Sequence, residues 1–402
     1  MEPHQQRWQR LKKAIAGEPL PVALVDLDAF DANARALNGI ARAAHKKLRV
    51  ASKSVRCPAL LKRLQQDDVV NGLMTYTASE TAFLAELGHD DLLLAYPTLQ
   101  RADVDLLAAL SAQGKLVAVV ADDDAQLVAL SDAAVRARTS IRIVIEVDLA
   151  YRPGAGLHLG PRRSPLHTAA DVVAFAARVC ARPGLTLDGV MGYEGQIAGM
   201  TDDSPFSPVL NGPKRLLKRL SKAPVRATRA AVKQALSEAG HSLRVFNGGG
   251  TGSLRWSCSE DALTEVTVGS GYLDSHLFGY YRDLQLEPAA YFALQAVRKP
   301  SARIVTCHGG GYVASGEAGP DRLPLPALPH GLRLLPFEGA GEVQTPVLLP
   351  DGVDVSLGDA ILFRHAKAGE LAEHFREYLL VQGDRVVERA PTYRGLGQCF
   401  LG

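Results

Sequence analysis

The feature that most limits the fold of this chain is a rhythm that starts near residue 20. Short runs of Val, Leu and Ile alternate with longer amphipathic stretches, and the alternation continues for more than two hundred residues. "PVALVDLDAF" reads as a strand, "DANARALNGIARAAHKK" as a helix, "LRVASKS" as a strand and "CPALLKRLQQ" as a helix. The same pairing recurs through "DVVNGLMTYT", "DDLLLAYPT", "KLVAVVAD", "IRIVIEVDLA", "LTLDGVMGYEG" and "SLRVFNGGGTGSL", which makes eight strand–helix steps by about residue 255. Continuous apolar strands belong in a parallel sheet buried on both faces. Eight units favour a closed (β/α)8 TIM-type barrel over an open doubly wound sheet. After Tyr280 the rhythm breaks into short strands with tight, Pro-rich turns, such as "SARIVTCHGGGYVAS" and "REYLLVQGDRVVERAPTY". The expected architecture is α/β, with a barrel over residues 20–285. A smaller, mostly antiparallel β domain follows over 286–402, with residues 1–19 a candidate part of it.

Composition narrows the function classes. A formal charge of +2 on 402 residues gives no bulk pull toward nucleic acid or an anionic membrane. No stretch approaches the roughly 18 apolar residues of a membrane span. The five cysteines have no CxxC spacing, which suits reduced thiols and a cytoplasmic setting. One basic tract, "GPKRLLKRLSKAPVRATRAAVKQAL" (Gly212–Leu236), places its charges at helical spacing and reads as a solvated helix face.

In a barrel of this kind the active site lies at the C-terminal ends of the strands. Asp26, Asp28, Lys53, Thr75, Tyr76, Tyr96, Asp148, Arg152, Tyr193 and Glu194 stand there, followed by the glycine loop "FNGGGTGS" (Phe246–Ser253). Exposed backbone N–H groups in such a loop can cradle a phosphate, and Thr251 and Ser253 add hydroxyls. A second glycine- and hydroxyl-rich element, "TVGSGY" (Thr267–Tyr272), follows the next apolar run. Loops after the last two strands are a recurrent phosphate site in these barrels. A phosphate on one side of the mouth and a strand-end lysine on the other suggest pyridoxal 5′-phosphate (PLP). Its aldehyde needs a lysine, and that lysine works best when held out of bulk water.

Taken in order, "PVALVDLDAFDANARAL", "RVASKSVRCPALLKRL", "YTASETAFLAELGHDDLLLAYP", "IEVDLAYRPGAG", "LDGVMGYEGQ", "FNGGGTGS" and "LTEVTVGSGYLD" resemble the fold-type III PLP enzymes. The similarity is to the alanine-racemase-type barrel, in the branch of D-threonine aldolase and D-serine dehydratase, and it covers roughly residues 20–402. It implies that Lys53 is the Schiff-base lysine. Gly249, Gly250 and Thr251, with Gly269, Ser270 and Tyr272, would form the phosphate cradle. Arg152 would hold the phenolate oxygen of the cofactor ring, and Tyr193 would face the ring. Two departures stand out. Relatives often carry histidines around the lysine, where this chain has Ala51, Val55 and Arg56. The lyase branch also binds a divalent metal through His-x-Cys or His-x-Asp of the β domain, where "FRHAKAGE" offers His365 and Lys367. A charged ammonium is no metal ligand, which leaves His365 as the one candidate there. Lys367 would then place its charge at a substrate hydroxyl as a catalytic group. Cys307 and His308 form another candidate pair.

The expected activity is that of a PLP-dependent lyase on 3-hydroxy amino acids, with the D-configuration favoured, by retro-aldol cleavage or by dehydration and deamination. Alternatives on the same fold are an amino acid racemase or decarboxylase, and a PLP-binding protein without turnover. The resemblance also implies a homodimer, with β-domain residues reaching the site from either chain.

Overall fold

The structure, a computed structural model, describes residues 2–154 and 156–401. Eight parallel strands close into a barrel. They are β1 (Lys47–Ala51), β2 (Val70–Thr75), β3 (Leu92–Leu94), β4 (Val117–Ala121), β5 (Ile141–Glu146), β6 (Leu185–Gly192), β7 (Val245–Gly248) and β8 (Glu265–Val268). β8 closes on β1 with Thr267 opposite Arg49. Strands such as "VAVVA" in β4 are buried at every position, because helices cover the outside and packed side chains fill the inside. Deep in the barrel the filling is ionic. The guanidinium of Arg49, with no exposed surface, donates to both carboxylate oxygens of Glu265 (2.5 and 2.9 Å) and to the Asp91 carbonyl (2.7 Å). Above it, Asn247 donates to Glu265 (2.8 Å) and Thr267 donates to Asn247 (3.1 Å).

One expected barrel strand lies elsewhere. Val22–Asp26 pairs antiparallel with Ala290–Ala293 and parallel with Tyr378–Val381, inside the second sheet. Glu265–Val268 takes the eighth barrel place instead. The barrel therefore begins after this strand rather than at residue 20. The N-terminal helix His4–Ala14 also belongs to the second domain. Trp8 and Leu11 pack with Leu24, Tyr291, Leu362 and Leu379, and the Trp8 indole donates to the Ala360 carbonyl (3.3 Å). The second sheet has nine strands, and every pairing except Val22–Asp26 with Glu377–Gln382 is antiparallel.

Candidate active site

The C-terminal ends of the strands surround an inner cavity of about 160 Å³, which opens into a mouth of about 1060 Å³ shared with the second domain. Lys53, Ser54, Tyr193 and Ser270 border both. β1 ends at Ala51, and Ser52–Ser54 form a single 3₁₀ turn that points Lys53 across the strand ends. The turn is tied down on three sides. The Ser52 hydroxyl donates to the Met74 carbonyl (2.9 Å), and Val55 N–H donates to Ser52 (2.9 Å). The Arg56 guanidinium donates to the Lys53 carbonyl (2.9 Å). Lys53 Nζ donates to the Tyr96 hydroxyl (2.7 Å). The lysine was expected to be held out of water. Its side chain is instead exposed, lining both cavities.

Arg152 is not part of this cavity. It sits on the exposed hairpin Tyr151–Gly154, where its guanidinium pairs with Asp148 (2.9 Å). Arg163 lines the cavity in its place. Its guanidinium lies 4.8 Å from the Tyr193 ring centre and 6.0 Å from that of Tyr96, with Glu146 at 3.5 Å. Contacts of this kind hold a planar cation flat against the rings. Burial pushes the Glu146 carboxyl up to about 7, against the pull of Arg163. Burial, with Glu194 adding to it, pushes the Tyr193 phenol up to about 12, so it keeps its proton at neutral pH.

The two glycine turns lie where the sequence places them, after β7 and β8, and both line the cavity. Their donors divide unevenly. Gly249 has φ +83, and a Cβ there would stand 2.4 Å from Val266, so the turn needs glycine. Its amide is used internally, donating to Glu194 Oε2 (3.1 Å), and the Gly250 amide donates to Ser253 Oγ (3.1 Å). The Gly271 amide donates to Thr251 Oγ1 (3.1 Å), which locks the two turns together. The amides of Thr251 and Ser270 begin short helical turns and have no protein acceptor among the described residues. A Cβ on Gly269 would collide with Ser54 Oγ at 2.7 Å, so glycine is required beside Ser270 as well. This donor set fits a phosphate. Tyr272 is not part of the cradle. It is fully buried, its hydroxyl has no partner, and its ring packs at 6.2 Å from that of Phe30.

His365 is likewise absent from the lining of both cavities. Its ring is buried, with neither nitrogen hydrogen-bonded, and burial lowers its pKa to about 3. Among the described residues no group of three or more His, Cys, Asp or Glu side chains is arranged to hold a metal ion. Lys367 does line the mouth, in the same chain as Lys53. Its ammonium donates to Ser315 Oγ (2.9 Å) and lies 3.7 Å from Glu370. Cys307 is buried in the second sheet and His308 is exposed there, and neither reaches the mouth.

Residues 25–273 match the model of the alanine racemase N-terminal domain. The chain belongs to that family. The matched stretch includes Lys53, Tyr193 and both glycine turns and stops before the segment with Lys367. Over 315 residues the chain is 25% identical to a D-threonine aldolase of Arthrobacter sp, covering 76% of this chain and 77% of the relative. It is 28% identical over 253 residues to a 3-hydroxy-D-aspartate aldolase of Paracoccus denitrificans (strain Pd 1222), covering 62% and 59%. The D-threonine aldolase structure from Filomicrobium marinum superposes with a TM-score of 0.80 at 22% identity, over 94% of this chain and 95% of that one; this likeness is one of fold. PLP is the cofactor expected in these families. A lysine and two glycine turns, each with an amide that has no protein acceptor among the described residues, are groups of the kind PLP requires, and they line the cavity described here.

Nothing local in the sequence marks Arg163 or the supporting role of Glu194. Arg163 sits in "GPRRSPLH", a loop with no periodicity to give it direction. Glu194 was visible at a strand end, but nothing nearby in sequence indicated Arg229 as its partner, 35 residues away.

Proposed function

We propose that this chain is a PLP-dependent lyase acting on 3-hydroxy amino acids, by retro-aldol cleavage or by loss of water and ammonia, with D-substrates favoured. The observation that carries this is the placement of Lys53 Nζ and the two glycine turns around one cavity. PLP, when bound, supplies an electron sink next to the substrate's Cα. The protein's own groups then have distinct tasks. Lys53 would hold the cofactor through its aldehyde, and the amides of Thr251 and Ser270 would hold the phosphate. Tyr96 orients the Lys53 amine through their hydrogen bond. Arg163 offers a fixed positive charge to an anionic oxygen of the ring or the substrate. Tyr193, protonated, forms a wall and a donor.

Either reaction needs positive charge at the substrate's β-oxygen. Lys367 supplies it in this reading, from a mouth position supported by Ser315 and Glu370. His365 is enclosed, and a lysine occupies the second ligand position, so these residues do not fit the metal pair expected from the resemblance. No step is assigned to a metal. The same reading includes a cytoplasmic homodimer; five unpaired cysteines accord with the first part, and sedimentation tests the second.

The test is a product assay with PLP, offering D- and L-threonine, serine and 3-hydroxyaspartate with and without EDTA. Glycine plus aldehyde indicates the aldolase, and 2-oxo acid plus ammonia the dehydratase. Activity lost in EDTA and restored by a divalent ion would reject the role given to Lys367. A cofactor band that borohydride cannot trap on Lys53 would reject the whole reading.

A further inference from the structure

The basic tract was expected to form a solvated face. The structure makes it the helix Asn211–Glu238 and turns two of its cations inward. Beyond Asn211 at its start, its buried positions are Lys218, Ser221, Val225, Arg229, Val232 and Leu236, spaced by three and four along one stripe. Lys218 Nζ donates to Asp202 (2.7 Å) and to the Met200 carbonyl (3.1 Å) on the cavity rim. Arg229, with no exposed side-chain surface, reaches further in. It donates to the Gly192 carbonyl (2.8 Å), to Glu260 (2.6 Å) and to Glu194 Oε2. A Cβ on Gly248 would lie 2.5 Å from its Nη2, so the guanidinium presses on the backbone that leads into the first glycine turn.

Glu194 collects the donors on the back of that turn. Oε2 accepts from Gly249 N–H (3.1 Å) as well as from Arg229, and Oε1 accepts from the hydroxyls of Ser253 (2.7 Å) and Ser257 (2.8 Å). Burial alone would raise the Glu194 pKa; Arg229 and the two hydroxyls outweigh it and hold the carboxyl below its usual range. A lone buried carboxylate behind a phosphate site would repel the ligand. Here Arg229 neutralises it, and what remains is its geometric effect. With Gly249 N–H and the serine hydroxyls drawn backward, the Thr251 amide is left to face the cavity. Thr251 Oγ1 passes the constraint to the second turn through Gly271 N–H (3.1 Å).

We infer that Glu194, held by Arg229 of the long helix, is the positioning residue that shapes the phosphate-binding turns. The inference rests on the PLP reading above and goes beyond it by assigning phosphate affinity to a network that never touches the ligand. Apo protein titrated with PLP and, separately, with pyridoxal distinguishes this from a general structural role, because pyridoxal lacks the phosphate. Glu194→Gln keeps the shape but sets an amide N–H₂ against donors. PLP binding should weaken about tenfold or more, inorganic phosphate should compete less well, and pyridoxal binding should not change. Equal loss for PLP and pyridoxal, or no loss for either, overturns the inference. If Glu194→Gln does not fold, Ser257→Ala removes one donor to Oε1 and should weaken PLP alone, by a smaller factor; an unselective effect there overturns it too. Wild-type protein that binds PLP no more tightly than pyridoxal has no phosphate site, which refutes the underlying reading.

Discussion

Glu80→Gln should make the protein more stable at alkaline pH relative to the wild type. Glu80 is fully buried behind the Lys53 turn, accepting from Tyr76 N–H (2.8 Å) and from the Tyr393 hydroxyl (2.9 Å). Burial pushes its carboxyl from 4.5 up to about 7, more than its hydrogen bonds and Arg56 pull it down. The folded protein thus holds this proton more tightly than the unfolded chain does. The resulting stability is complete below the unfolded pKa and is lost as pH rises through about 7. A shift of this size corresponds to roughly 3 kcal/mol. Glutamine cannot titrate; its oxygen can accept from Tyr76 N–H while its amide donates to the Tyr393 hydroxyl, which can rotate to receive it. Glu146 contributes a pH dependence of the same sign, but it is common to both proteins and cancels in the comparison. Urea midpoints measured at about pH 5 and about pH 8 should show the variant gaining on the wild type by roughly 2–3 kcal/mol. Parallel pH dependences would mean that Glu80 does not titrate in this range, and the reasoning would be wrong.

Three further outcomes follow from packing and contact. Gly369→Ala, at φ +82 with a Cβ that would stand 1.9 Å from the Lys53 carbonyl, should displace the lysine turn and slow cofactor capture while the barrel stays folded; stopped-flow mixing with PLP reads this directly. Arg163→Ala should lower kcat/KM by about tenfold or more, whereas Arg152→Ala should leave it nearly unchanged, and steady-state kinetics on the two variants would reverse the assignment if the order were opposite. Tyr272→Phe deletes a buried hydroxyl without a partner and should be neutral or stabilising by up to about 1 kcal/mol in a urea melt, with PLP affinity intact.

The barrel was readable because its strands are unbroken apolar runs and its ligand turns need glycine. Those are local properties, and the chain shows them residue by residue. "VALVD" has the same local properties, yet it joins the other sheet. Its partners are Ala290–Ala293 and Tyr378–Val381, more than 260 residues away, and no period in the strand itself distinguishes the two destinations. Side chains beyond the strand ends were harder to read. Arg152 and Arg163 are alike as sequence, and only the path of the loop decides which one meets Tyr96 and Tyr193. Tyr272 follows the second glycine turn, but the helical start at Ser270 swings it into the core. The inward cations of the long helix broke the expectation that charge faces water. Their carboxylate partners, Asp202, Glu194 and Glu260, come from separate loops, and burial is tolerated because each cation has one.

Gly369 touches the backbone of Lys53, the residue proposed to capture the cofactor, Arg56 next to that turn pairs with Glu373 of the second domain, and the Tyr393 amide donates to the Arg56 carbonyl (3.0 Å). The two domains therefore share the lysine turn as a common boundary. A chain whose second domain has not yet docked would hold the Lys53 turn by its barrel contacts alone, without the outer support of Gly369, Glu373 and Tyr393, and its amine would be less firmly placed opposite the glycine turns. Cofactor capture would then report on assembly: trapping by borohydride during refolding would favour the molecules in which both domains have come together.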